Sequence, residues 1–333
     1  MKKLSVFFIG LFIPALLLTS CDKGDDPLEG EVVSTPAFEL MADYMVENNL
    51  DINNILTNTD GQKFVTKAPA EDDLAAFLDT YYIMDIRSGD AYAESHIEGA
   101  HNVAFGDILT EAAKTTKPIL VVCYSGQTAC YATALLRLYG YSNTQALKWG
   151  MSGWNSKGAD ASWNKKTDDI AKGSPNWSYD AAPANIIYDD PVISTTLTNG
   201  EAILKERVEA AVAEGFKTIS GGEVLATPGA YFINNYFSEQ AYSDFGHISS
   251  AYRIYPLNLA DDTYKALDPE ANTIVTYCYT GQTSAVITAT LNVLGYDAKS
   301  LVYGMNGLYH SNDAFSSNQW GVDSKPKDLP TVK

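Results

Sequence analysis

Two stretches of this chain carry nearly the same residues in the same order. Ile119-Leu-Val-Val-Cys123-Tyr-Ser-Gly-Gln-Thr-Ala129 matches Ile274-Val-Thr-Tyr-Cys278-Tyr-Thr-Gly-Gln-Thr-Ser284, 155 residues apart at the cysteine and at the glutamine. Upstream, Ser95-His96-Ile97-Glu-Gly-Ala100 matches Gly246-His247-Ile248-Ser-Ser-Ala251. Downstream, Gly140-Tyr141 matches Gly295-Tyr296, and Trp149-Gly-Met-Ser-Gly153 matches Tyr303-Gly-Met-Asn-Gly307. Self-similarity of this length and order means a duplicated domain, and 333 residues suffice for two domains of ordinary size.

Each half has the same coarse pattern. A short apolar strand comes first (Tyr82 to Ile86; Tyr231 to Asn234), then a polar helical stretch and the His-Ile turn. A second strand (Ile119 to Val122; Thr273 to Tyr277) runs directly into the cysteine. Helical periodicity follows, with Ala132, Leu135, Leu136 and Tyr139 in one half and Val286, Ala289, Leu291 and Leu294 in the other. Gly140 and Gly295 stand where a helix-terminating glycine belongs. Strands alternating with helices predict an α/β fold: two tandem domains, each a mainly parallel sheet flanked by helices. Function in such sheets collects at the carboxyl ends of strands, where both cysteines fall. Residues 32–60 and 201–214 are helical in part and read as an addition repeated ahead of each domain core. The boundaries expected are a leader at 1–20, a tether at 21–34, domains at 35–165 and 199–333, and a linker at 166–198.

The leader reads as an export signal. Lys2 and Lys3 precede an apolar run from Leu4 to Leu18, which is shorter than the ~20 residues a bilayer span requires. Leu18-Thr19-Ser20-Cys21 followed by acidic residues resembles a bacterial lipoprotein signal, which implies lipidation of Cys21. That predicts a protein exported and lipid-anchored in the cell envelope, its partner membrane reached through the anchor. With Cys21 modified, Cys123, Cys130 and Cys278 remain, an odd number that leaves at least one free thiol. A formal net charge of −18 opposes nucleic-acid binding and contact with anionic lipid. It equally disfavours an anionic substrate, which must then be held by a local positive potential.

A strand that delivers a cysteine into a tight loop opening a helix provides such a potential. The loop amides and the first helical turn point inward, where they favour thiolate over thiol and cradle an anion without a basic side chain. Gly126 and Gly281 are expected to supply the positive φ of that turn.

At this point the chain resembles the rhodanese family. The landmarks are Asp85-Ile-Arg87, Glu94-Ser-His96-Ile-Glu-Gly99-Ala100, Cys123-Tyr-Ser-Gly126-Gln-Thr128 and Gly150-Met-Ser-Gly-Trp154, in that order. The resemblance implies that Cys123 is a nucleophile carrying a persulfide, with Tyr124, Ser125, Gly126, Gln127, Thr128 and Ala129 supplying the amides around it. Carried over the same way, Cys278 with Tyr279, Thr280, Gly281, Gln282, Thr283 and Ser284 forms a second site. The activity implied is sulfurtransfer, from a small anionic donor such as thiosulfate to a thiol or cyanide, with no cofactor. Asp85 and Arg87 are implied to be structural; the second half has Asn234 and Tyr236 in their place, which marks its site as the more diverged.

Other readings compete. Rhodanese-like domains also serve as binding modules without turnover. A cysteine phosphatase resembles a Cys-x5-Arg pattern, but the sixth residue after each cysteine is Ala129 or Ser284, so the arginine that grips phosphate is missing. His96 and His247 read as structural residues of their turns, and the four histidines show no spacing that makes a metal site. Cys130, with Ala285 in its place in the second half, reads as core, with a resolving thiol as the alternative. Asn58-Thr-Asp60-Gly61 is similar to part of a calcium loop, but its first position would be Leu56, which has no side-chain oxygen. Tyr124 and Tyr279 read either as the mouth of each site or as surface aromatics.

Overall fold

The computed structural model describes residues 37–333. The leader, the tether and Cys21 lie outside the described residues. The first half runs α1 (Ala37–Glu47), α2 (Ile52–Leu56), β1 (Val65–Thr66), α3 (Leu74–Thr80), β2 (Tyr82–Asp85), α4 (Gly89–Glu94) and β3 (His101–Asn102). It continues α5 (Ile108–Ala112), β4 (Ile119–Val122), α6 (Gln127–Tyr139), β5 (Gln145–Leu147), α7 (Met151–Trp154) and α8 (Ser156–Ala161). The second half runs β6 (Trp177–Ser178), α9 (Gly200–Glu214), β7 (Thr218–Ile219), α10 (Gly221–Ala226), β8 (Phe232–Asn235) and α11 (Glu239–Phe245). It ends β9 (His247–Ile248), β10 (Ile274–Tyr277), α12 (Gln282–Leu294), β11 (Ala298–Leu301) and α13 (Gly304–Leu308).

Each domain is an α/β unit around one parallel sheet. The orders are β1-β5-β4-β2-β3 and β7-β11-β10-β8, so four strands of each correspond. The fifth strand of the first sheet shrinks in the second to a single bridge between Asn234 and Tyr252. The central strands β4 and β10 are buried at every residue, which follows from their apolar and β-branched runs in a sheet covered on both faces.

The strand register corrects the reading of the second half. Asp85 pairs with Val122 just before Cys123, and Asn235 pairs with Tyr277 just before Cys278. The counterparts of Asp85 and Arg87 are therefore Asn235 and Phe237, not Asn234 and Tyr236. The discrepancy arises because β8 opens at Phe232, one residue later than its apolar run.

The two domains meet helix on helix. α6 and α12, each of 13 residues, pack against one another and are buried along nearly their whole length. Asn292 Nδ2 donates to the Tyr131 hydroxyl across this contact at 3.2 Å. The helical additions do not simply cap their own domains. Phe38 of α1 packs against Tyr264 with tilted rings 5.6 Å apart, and both Asp51 carboxylate oxygens accept from Leu259 and Ala260 amides of the second domain. In return α9 lies against α6, with the Tyr139 hydroxyl donating to Glu209. The interval 166–198 is more than a linker. Trp177 and Ser178 form an antiparallel pair with β9, and Ala171 is buried in the second domain's core. The tail likewise crosses back: Trp154 Nε1 donates to Pro330 O, and His96 and Val332 exchange backbone bonds.

Candidate functional site

Both cysteines stand one residue past the end of a central strand, and each opens a loop that turns into an interface helix. Gly126 and Gly281 precede α6 and α12 at φ +83° and +75°, the left-handed turn expected of them. The loops are backed by a second pair of glycines. A Cβ on Gly150 would lie 2.2 Å from Cys123 O, and one on Gly304 would lie 2.1 Å from Cys278 O. The amides that follow, of Met151 and Met305, donate to those same carbonyls at 2.8 and 3.0 Å. The repeated Gly-Met motif thus holds each cysteine's backbone from behind, a close approach open only to glycine.

The sulfur environments differ. Cys123 Sγ accepts from the amides of Gly126 (3.1 Å) and Ala129 (3.3 Å). Cys278 Sγ accepts from the Ser284 amide at 3.4 Å and lies 3.7 Å from the Ser284 hydroxyl, which also pairs with Ser300. The loop amides lower the Cys123 thiol pKa as expected, but a larger opposing effect leaves it raised. Burial pushes it up, and the amides of Ala129, Ser125 and Gly126 recover only part of that shift. Cys130 is buried in α6, and its thiol is pushed well up by burial.

The loops lock onto each other through equivalent residues. Gln127 accepts from the Tyr303 amide at 2.8 Å, and Gln282 donates to Ser125 O at 3.2 Å. Ser125 O also receives Trp163 Nε1 at 3.0 Å, so a residue of the first domain's extension seals the same junction. Trp149, Trp163, Tyr303 and Trp320 pack around it.

Two adjoining cavities, of about 310 and 300 Å³, open onto Cys278. Tyr279 and Thr283 line both, Thr280 and Gln282 line the second, and Cys123 lines neither. The far walls come from segments that no local motif marks: Lys63 and Phe64 of the first domain, and Tyr236, Tyr255 and Pro256 of the second. The first-domain segment is held firmly. Buried Arg137 of α6 donates to the carbonyls of Ile55, Gln62, Lys63 and Thr144. Asn58 uses Oδ1 to accept from the Asp60 and Gln62 amides, which closes the turn at Asn58-Thr-Asp60-Gly61 without a cation. These wall residues escape sequence reasoning because their role exists only once the domains are docked.

The remaining candidates are held by buried pairs, backbone bonds and ring stacking. Arg87 makes a buried pair with Asp85 (Nη2 to Oδ2, 2.5 Å), donates to Ser95 O at 2.7 Å, and lies 5.2 Å from the Tyr124 ring centre. Tyr124 is therefore packed by the pair, while Tyr279 stacks on Phe237 and lines the Cys278 cavities. His96 stacks on Tyr92 and engages its carbonyl through Nδ1 at 2.9 Å. His247 stacks on Tyr242, and burial lowers its pKa. Neither histidine lines the cavities at Cys278. Thr128 takes the first-turn position in α6 that Thr283 takes in α12.

Comparison with known proteins identifies the family. The rhodanese-like domain model matches residues 70–157 and again 237–311. A thiosulfate sulfurtransferase GlpE of Pseudomonas entomophila is 37% identical over 91 residues, covering 26% of this chain and 81% of that protein. The GlpE of Shewanella oneidensis is 32% identical over 79 residues, covering 23% of this chain and 78% of that protein. Among solved structures, the 3-mercaptopyruvate sulfurtransferase from Leishmania major aligns over 74% of this chain and 73% of its own, at 13% identity and a TM-score of 0.27. With the family's domain matched in both halves and most of a curated relative aligned, this chain belongs to the rhodanese-like family and carries two copies of its domain.

Proposed function

We propose that this chain is a sulfurtransferase whose working nucleophile is Cys278, moving a sulfane sulfur from a donor such as thiosulfate to a thiol or cyanide through a cysteine persulfide. The observation that carries this is the setting of Cys278: a thiol that accepts from the Ser284 amide, in the loop that opens α12, and lines two cavities. In the first step the Cys278 thiolate attacks the outer sulfur of thiosulfate. The S–S bond of the donor breaks and sulfite leaves with its electron pair. In the second, the acceptor attacks the outer persulfide sulfur and the Cys278 thiolate is released. The Ser284 amide and hydroxyl stabilise the anionic sulfur at both stages. Cys123 keeps the same loop and enters the proposal as the slower site, because it lines neither cavity. The sequence of residues 1–21 adds that this chemistry takes place outside the cytoplasm on a lipid anchor at Cys21.

The burial of both cysteines favours a second reading, a binding module without turnover. Peptide mass spectrometry after thiosulfate treatment separates the two. One extra sulfur on the Cys278 peptide, removed by cyanide, is the expected result. No adduct on a folded protein with reduced thiols would leave the binding module.

A further inference from the structure

The chain is strongly acidic, yet the groove leading away from Cys278 is basic. Lys63, Lys67 and Lys148 line the 300 Å³ cavity that reaches Cys278. Lys67 and Lys148 also line an adjoining cavity of about 340 Å³, joined there by Lys325 and Lys327. None of these five belongs to the cysteine loop. Lys63 and Lys67 flank β1, Lys148 follows β5, and Lys325 and Lys327 sit on the tail that returns to the first domain. None forms an ion pair with a described residue.

The single carboxylate in these linings is already engaged. Asp323 accepts from the Asn318 amide at 2.9 Å and the Gln319 amide at 2.6 Å. Lys148 donates to Asn318 Oδ1 at 2.7 Å, and its ammonium lies 5.4 Å from the Trp149 ring centre. Burial and the neighbouring charges of Lys67 and Lys63 push its pKa down, against the opposing charge of Asp323. Gathering five lysines around one carboxylate leaves an excess of like charge that costs free energy, and a bound anion offsets that cost.

We infer that this groove binds the acidic tail of an organic thiol, so that the second domain's nucleophile draws its acceptor specificity from lysines of the first domain and the C-terminal tail. The class is a small thiol bearing two or more carboxylate or sulfonate groups. Two adjoining cavities of this size exceed what cyanide or thiosulfate fills, and lysines spread along both suit an anion with separated charges. The inference rests on Cys278 as the sulfur carrier only for its catalytic consequence; the anion site stands on the lysines alone.

The test uses mercaptosuccinate, a dianionic thiol, against uncharged 2-mercaptoethanol. The protein is first loaded with thiosulfate and the decay of the Cys278 persulfide is followed in a single turnover. Lys67→Gln/Lys148→Gln is expected to lower the preference for mercaptosuccinate about tenfold, and raising the salt concentration is expected to lower it in the unaltered protein. Lys63→Gln/Lys67→Gln, confined to exposed positions, repeats the test should the first variant fold poorly. Separately, Cys278→Ser protein is titrated with mercaptosuccinate by calorimetry, with and without the lysine changes. Salt-sensitive binding weakened about tenfold by the lysine changes supports the site even if no sulfur is ever transferred, in which case only the sulfurtransferase reading falls. No binding, or binding indifferent to both lysine pairs, overturns the inference.

Discussion

Arg87 holds a buried carboxylate, and replacing it with methionine exposes the cost of leaving that charge alone. The Arg87 and Asp85 side chains are 4% and 1% exposed. Without the guanidinium, Asp85 loses Nε at 2.9 and 3.0 Å and Nη2 at 2.5 Å, and keeps only the backbone amide of residue 87 at 3.0 Å. Ser95 O loses its donor as well. Breaking a buried pair from one side costs about 3–5 kcal/mol. At roughly 2–4 °C per kcal/mol for a chain of this order, the unfolding midpoint falls by about 6–20 °C. The protein contains its own alternative, since the second domain places Asn235 and Phe237 at the matching positions, with Phe237 packed among Phe245, Tyr277 and Tyr279. Adding Asp85→Asn to Arg87→Met removes the stranded charge and should recover about 1–3 kcal/mol. Differential scanning calorimetry of the two single variants and the double closes the cycle. An Arg87→Met midpoint within about 2 °C of the unaltered protein, or a double variant no better than the single, would refute the reasoning.

Three further outcomes follow from the site. Gly304→Ala puts a Cβ 2.1 Å from Cys278 O at a φ of +51°, so it should cost at least about 2 kcal/mol and abolish sulfur loading on Cys278, read by thermal melting and peptide mass. Gln127→Ala leaves the Tyr303 amide without its acceptor and should destabilise the domain junction by about 1–3 kcal/mol in urea unfolding. Because burial raises the Cys123 pKa above its unfolded value, its alkylation should be slow at neutral pH and accelerate on the alkaline side. By the same linkage, the stability it contributes is complete below roughly pH 8.5 and is lost as pH rises through the folded value. Cys123→Ser should flatten that alkaline decline; an unchanged profile would assign the decline elsewhere.

Much of the fold is legible in the sequence because the duplication lets each half check the other. The strands ahead of Cys123 and Cys278, the helices after them and the positive-φ glycines at 126 and 281 all follow from local patterns. Reading fails where the determinant is not local. The match of Asp85 to Asn235 depends on where β8 pairs with β10, and an apolar run that starts one residue before the strand conceals it. The crossing of α1 and α9 onto opposite domains, and the return of the tail, depend on docking the two halves. The walls at Cys278 share that origin: Lys63 and Phe64 lie more than two hundred residues from the cysteine they face. The loop amides at Cys123 are visible in a motif, and the burial that outweighs them is not.

Transfer of labelled sulfur tests the central claim most directly. Thiosulfate labelled in its outer sulfur is incubated with the protein, excess donor is removed, and cyanide is added. Label should appear in thiocyanate with the unaltered protein and persist with Cys123→Ser, while Cys278→Ser should lose most of it. Equal transfer by Cys278→Ser and the unaltered protein would contradict the assignment of Cys278, and no labelled thiocyanate from any of the three would contradict sulfurtransfer itself.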